Sequence, residues 1–214
     1  MGSCVIFDLD GTLIDTEKYY RIAWPAATRK FGYEMTDEMA LSLRSLGRPH
    51  APKQFQEWFG KDCDYGAIRE YRKQLMEELI AEGGMDLKEG AVELLTFLKD
   101  NGITVAMATA NEYARTERYL KKIGLFDYFD QIICADMVKE GKPSPDIYEY
   151  AVKALGADPK ECFAVEDSPN GVKSAYGAGC KVIYVPDQTP MEASLQEYVY
   201  VVVKKLTDIS TLFS

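Results

Sequence analysis

Residues 7–13 read FDLDGTL, with Asp8 and Asp10 two positions apart, directly behind the apolar run Cys4–Phe7. A short apolar run bounded by polar and glycine residues reads as a buried strand. One unpaired buried carboxylate is costly, and a second beside it adds like-charge repulsion. A strand ending in this pair therefore needs a cation or a shared proton, and the rest of the chain has to provide for it.

Working outward, the apolar runs 103–108, 162–165 and 182–185 also read as buried strands, with Gln131–Cys134 a weaker fifth. Helical periodicity lies between them, over 89–99, 112–123, Asp146–Leu155 and 170–178. The last two follow PSPD and DSPN, where Ser suits the N-cap and Pro the first helical position. Strands alternating with helices of this length imply parallel β-α-β units, hence an α/β fold with a doubly wound, Rossmann-like parallel sheet. Residues 198–203, YVYVVV, are expected to add an edge strand before a short C-terminal helix. Segment 16–84 breaks the alternation, because it carries no strand pattern. Tyr20, Trp24, Ala27 and Phe31 share one helical face, Met39, Leu43 and Leu46 another, and Ile68, Tyr71, Leu75 and Leu79 a third. The expected division is a core, 1–15 with 85–214, and an inserted helical domain, 16–84, joined by two short crossings able to hinge.

At 214 residues, 47% apolar and 28% charged, the chain has the composition of a soluble globular protein. Its net charge of −9 argues against a nucleic-acid or anionic-membrane partner, while leaving room for a small anion at a metal or a local Lys/Arg cluster. No apolar window is long enough to span a bilayer, and Val5-Ile6-Phe7 runs into Asp8 too soon for a signal peptide. Ile6 also stands where a myristoylation signal needs Ser or Thr. The cytoplasm is the expected compartment, and a monomer suffices, although nothing in the sequence decides the oligomeric state. Cys4, Cys63, Cys134, Cys162 and Cys180 form no CxxC and are expected as free thiols packed as small hydrophobes in a reducing compartment. The single histidine, His50, lies in GRPHAP and reads as a solvated loop residue. That excludes Ser-His-Asp, Cys-His and His-rich metal chemistry, and leaves carboxylates, Lys, Thr or a metal.

In a parallel α/β sheet, functional groups gather beyond the carboxyl ends of the strands. Those ends carry Asp8, Thr109 and Glu166-Asp167, and Lys142 lies in the loop before the PSPD helix. Each alone has another reading. Thr109 or Asn111 could cap a helix, Ser168 the next, Glu166 and Asp167 could favour its dipole, and Lys142 could be solvated. Their coincidence at equivalent strand ends points to a site.

DLDGT, the Thr of MATAN, GKPSPD and VEDSPNG, in that order, resemble the four motifs of the haloacid dehalogenase-like hydrolase superfamily. AGCKVIYVPD is similar to the segment that follows the fourth motif, and 16–84 resembles the α-helical cap of the branch holding β-phosphoglucomutase and small phosphatases. The resemblance implies a small phosphorylated metabolite as substrate, and Mg²⁺ held by the Asp8 and Asp167 carboxylates and the Asp10 backbone carbonyl. Glu166 would hold a metal-bound water. Asp8 would be the nucleophile that forms an aspartyl-phosphate, Asp10 the general acid–base, Thr109 a phosphoryl contact, and Lys142 the offsetting charge. Substrate contacts are implied for Thr16, Tyr20, Arg44 and Arg48 of the cap and for Ala110 and Asn111 after the second motif. Arg44 and Arg48 read equally as surface charges.

Phosphate-monoester hydrolysis is expected over phosphosugar isomerisation. Tyr20 replaces the histidine, and Glu112 the lysine, that mutases of this branch carry, and Glu112 would repel a second phosphate. A response-regulator receiver domain gathers similar groups but has no need of the insertion. No GxxxxGK[ST] loop is present, which disfavours a kinase or ATPase, and GAGCKV reads as a helix C-cap. Lys53 lies in the region where a phosphonatase carries its Schiff-base lysine, but no sequence feature marks it as desolvated.

Overall fold

The computed structural model describes residues 4–213. Six strands form one parallel sheet: β1 (Cys4–Phe7), β2 (Thr104–Thr109), β3 (Gln131–Cys134), β4 (Cys162–Glu166), β5 (Lys181–Tyr184) and β6 (Val201–Val202). Their order is β3-β2-β1-β4-β5-β6, which places β1 in the middle between β2 and β4. The strand that ends in Asp8 is therefore flanked by the two that end in Thr109 and Glu166.

Alternation along β1 decides which helices cover which face. Val5 and Phe7 pack with Leu94, Leu98 and Leu120, which come from α5 (Ala91–Asp100) and α6 (Tyr113–Ile123). Cys4 and Ile6 pack with Ile147, Ala151, Val172 and Ala175, from α7 (Asp146–Leu155) and α8 (Pro169–Gly177). A sheet covered on both faces needs apolar residues at every strand position, which is why these strands read as continuous runs.

Between Asp15 and α5 the chain is helical: α1 (Glu17–Lys30), α2 (Asp37–Ser42), α3 (His50–Phe59) and α4 (Tyr65–Gly83). Trp24, Ala27, Leu43, Phe55 and Ile68 make a core of their own there. Tyr19, Ala23, Met76 and Ile80, from α1 and α4, join the cluster under the sheet instead.

Several local expectations are corrected. Phe31 lies past the end of α1 and is exposed, because the chain turns at Gly32, where φ is positive. Helix α2 stops at Ser42, so Leu43 and Leu46 pack from the following turn. Ser168 does cap α8, accepting from the Gly171 N–H at 3.0 Å, but Ser144 does not cap α7. Its hydroxyl bonds the Asp146 carboxylate at 2.5 Å instead. Within 198–203 only Val201 and Val202 pair with β5, after a 3₁₀ stretch over Ala193–Tyr198, and the C-terminal helix is also 3₁₀, Leu206–Phe213. His50 is not in a loop: it opens α3, half-buried, with Nε2 3.9 Å from a Glu140 carboxylate oxygen.

The cysteine expectation fails in one pair. Cys4 and Cys162 are register partners on β1 and β4 and are joined as a disulfide, a proximity hidden by 158 residues of sequence separation. Cys63, Cys134 and Cys180 are free and buried, as expected. Among the described residues, no helix is long and apolar enough to cross a membrane.

Candidate active site

The carboxyl ends of β1, β2 and β4 and the loop before α7 converge on one buried cluster. Asp8 continues β1, its N–H donating to the Val165 carbonyl at 3.0 Å. Lys142, fully buried, puts its ammonium 2.5 Å from Asp8 Oδ1 and 2.6 Å from Glu166 Oε1. The Tyr148 hydroxyl donates to the same Glu166 oxygen at 2.7 Å, and Ser168 Oγ donates to the other at 3.3 Å. Two glycines make room. A Cβ on Gly171, in the first turn of α8, would overlap the Glu166 carboxylate, and one on Gly11 would overlap Asp167 Oδ2. Gly11 also has φ +81°, a conformation that L side chains rarely adopt.

Asp8, Asp10, Glu17, Glu166 and Asp167 are all buried, against the buried cations Lys142 and Arg44. Burial raises the Asp8 carboxyl to about 8, because desolvation outweighs the attraction of Lys142 and Glu166 adds repulsion. Burial, then Asp8 and Glu166, push Asp167 well above the usual carboxylate range, and burial followed by Asp167 does the same to Glu17. Burial acts to lower Lys142, but Asp8 and Glu166 hold it above its ordinary value. The cluster is short of positive charge.

That shortage has a location. Asp8 Oδ2 and Asp167 Oδ2 are buried and accept no hydrogen bond, although buried polar atoms nearly always find a partner. Asp8, Asp167 and Glu166 each offer a carboxylate oxygen within 4.8 Å of the others. An all-oxygen set with two anionic atoms that accept no hydrogen bond fits a hard divalent cation.

Asp10 is held from two sides, by the Thr16 hydroxyl on Oδ1 and by Asn111 Nδ2 on Oδ2 at 2.6 Å. Thr16 and Asn111, expected to contact substrate, thus orient Asp10. Tyr20 reaches Asn111 Oδ1 at 3.4 Å, and the Thr109 hydroxyl accepts the Asn111 N–H at 3.2 Å. Tyr20, Ala110 and Asn111 line a cleft that opens onto Asp8 and Asp10.

The loop after α2 closes the other side of this cleft. Gly47 N–H donates to the Lys142 carbonyl at 2.8 Å, Gly141 N–H to the Arg48 carbonyl at 2.6 Å, and Asn170 Nδ2 to the Arg44 carbonyl at 2.8 Å. Arg44 is not a surface charge. It is buried, with Nη2 donating to Thr189 Oγ1 at 2.8 Å and Nη1 3.9 Å from Asp167 Oδ2. Arg48 is exposed and lines the cleft.

The sequence reading missed Glu17 and a basic wall made by Arg69, Arg72 and Lys73 of α4 and Arg115 of α6. The signal was present. Ile68, Arg72, Met76 and Ile80 form an i, i+4 series that is buried throughout, so a cation interrupts an apolar face. Glu112 is not the bare repulsive charge expected from the sequence. Arg69 and Lys73 approach its carboxylate at 3.0 and 3.2 Å, and Arg69's hydrogen bond leads the effects that hold its pKa below the ordinary value.

A family model described as haloacid dehalogenase-like hydrolase matches residues 3–179. A "Phosphorylated carbohydrates phosphatase" of Thermotoga maritima is 32% identical over 191 residues, covering 84% of this chain and 83% of that protein. The crystal structure of CbbY from Rhodobacter sphaeroides in complex with phosphate superposes with a TM-score of 0.79 at 28% identity, over 98% of this chain and 96% of that one. A β-phosphoglucomutase structure from Clostridium difficile gives a TM-score of 0.83 at 25% identity, over 100% and 95%.

Proposed function

The chain belongs to the haloacid dehalogenase-like hydrolase family, and from that premise we propose that it is a Mg²⁺-dependent phosphatase. Its substrate is a small phosphomonoester, sugar phosphate or nucleotide-like, and the reaction runs through an aspartyl-phosphate. The observation that carries the reading is Asp8 itself: a buried carboxylate with one oxygen held by Lys142 and the other free, at the base of a cleft. The name of the Thermotoga relative supports a phosphorylated carbohydrate as substrate.

Asp8 attacks phosphorus in line, the bond from phosphorus to the leaving oxygen breaks, and Asp10 delivers a proton to that oxygen. Asp10 is then a carboxylate stabilised by Thr16 and Asn111, poised to take a proton from the water that attacks the aspartyl-phosphate. Lys142 offsets the charge that Asp8 and the phosphoryl group share, and Thr109 lies at the adjacent strand end as a phosphoryl contact. Asp8 and Asp167 would hold Mg²⁺ through their oxygens that accept no hydrogen bond, with the Asp10 carbonyl. Glu166, already engaged by Lys142, Tyr148 and Ser168, suits a role through water. When bound, Mg²⁺ supplies the positive charge that the carboxylates lack. Residues 16–84 act as the cap, excluding water and contacting the leaving group through Tyr20 and Arg48.

Phosphate release from nitrophenyl phosphate tests this. Activity is expected with Mg²⁺, and loss is expected both on chelation and in Asp8→Asn. Full activity in excess chelator would remove the metal from the reading, and near-wild-type activity of Asp8→Asn would remove the nucleophile.

A further inference from the structure

Arg72 occupies the one place on the buried α4 series where a charge replaces an apolar side chain. It is 6% exposed, and its Nε and Nη1 are buried without a hydrogen-bond partner. Its guanidinium carbon lies 5.1 Å from the centre of the Tyr20 ring and 4.7 Å from that of Trp24, and the residue lines the cleft that opens onto Asp8. Of the other cations lining the cleft, Arg48 is exposed to solvent and the rest are engaged. Arg69 and Lys73 close on Glu112, Arg115 donates to the Tyr119 hydroxyl, and Arg44 is tied to Thr189. Among the described residues, no carboxylate pairs with Arg72.

A buried charge is tolerated when it is paired and its donors are satisfied. The two aromatic faces supply a cation–π attraction to Arg72, but they accept none of its N–H groups in the plane of the guanidinium. Acceptor and counter-charge must then arrive through the cleft. Resting on the phosphatase reading above, we propose that Arg72 receives a second anionic group, a carboxylate or a phosphate, at the far end of the phosphomonoester whose transferred phosphate meets Asp8. The substrate class is thus a phosphomonoester that is acidic at both ends, with a neutral carbon chain lying against Tyr20 and Trp24. A carboxylate serves Arg72 as well as a phosphate does, so the subsite does not require a bisphosphorylated intermediate.

Three substrates of equal length separate the possibilities: 5-hydroxypentyl phosphate, 5-phosphonooxypentanoate and pentane-1,5-diyl bisphosphate. For the wild type, kcat/KM is expected to be on the order of 10–100-fold higher for the two with charged tails, the range of a charge-assisted hydrogen bond left unmade. Preference for the carboxylate tail or the phosphate tail identifies the group. Arg72→Gln should collapse the preference to near unity, with folding checked by circular dichroism. Should that variant fail to fold, Arg72→Lys, which keeps the charge but loses the planar donors, should weaken the preference by several-fold. Equal kcat/KM across the three substrates, or a preference unchanged in the Arg72 variants, overturns the proposal. Calorimetric titration of the non-hydrolysing Asp8→Asn protein with the same compounds gives the answer without turnover. Failure to hydrolyse nitrophenyl phosphate would sink the phosphatase reading, whereas equal calorimetric affinities would sink the subsite alone.

Discussion

Replacing Lys142 with Met removes the ammonium that lies 2.5 Å from Asp8 and 2.6 Å from Glu166 while keeping most of the side-chain volume. All three groups are buried, so water cannot take over its role. At an effective dielectric constant of about 20, each contact is worth about 4 kcal/mol or more before desolvation is subtracted. Removing one partner of a buried ion pair typically costs about 3–5 kcal/mol, because the remaining charge stays buried and uncompensated. For a chain of this size that corresponds to a fall in Tm of about 6–20 °C. Thermal and urea unfolding of the metal-free proteins, monitored by circular dichroism, measure the loss directly. Much of it should return in Lys142→Met/Glu166→Gln, where one orphaned charge has gone as well, giving a coupling energy of about 1–3 kcal/mol. Phosphate release should fall about 10²–10³-fold in Lys142→Met, the loss expected for one electrostatic contact to the developing charge. A melting temperature within about 1 °C of wild type, with additive effects in the double variant, would refute the view that Lys142 carries the charge balance of this cluster.

Asp10→Asn should lower kcat for alkyl phosphates by about 10²–10⁴-fold but spare nitrophenyl phosphate, whose leaving group needs little protonation; equal losses on both would count against the acid–base role. With β-glucose 1-phosphate and a catalytic amount of the 1,6-bisphosphate, phosphate release is expected, and sustained glucose 6-phosphate formation without it would make the enzyme a mutase. Glu112, at the junction of α4 and α6, has a depressed pKa through Arg69 and Lys73, so its contribution is present above the unfolded value of about 4.5 and disappears as pH falls through the lower folded value. Its side chain is 40% exposed, so Glu112→Gln should cost at most about 1 kcal/mol at pH 7 in low salt and less at pH 3. Urea unfolding at the two pH values checks this, and a loss independent of pH would contradict it.

The strands and the rim were legible because they follow from local chemistry. Cys4–Phe7 and Gln131–Cys134 match the structure to the residue; the first, in the middle of the sheet, is apolar at every position because both its faces are buried. Asp8, Thr109 and Glu166-Asp167 followed from the rule that parallel strands present their functional groups at their carboxyl ends. What the sequence could not reveal were relations between segments far apart in the chain. Cys4 and Cys162 are neighbours only because β4 pairs with β1. That Thr16 and Asn111 both donate to Asp10 emerges only when α1 and the β2 end are brought against it. Glu112 had the sign of a repulsive charge until α4 laid Arg69 and Lys73 across it, and Arg44 stood open between a substrate contact and a surface charge until its loop buried it against Asp167 and Thr189. Periodicity reports which face of an element is buried, but not what buries it. The partners of a polar side chain are set by tertiary packing, where proximity and desolvation decide between a surface charge and a buried one.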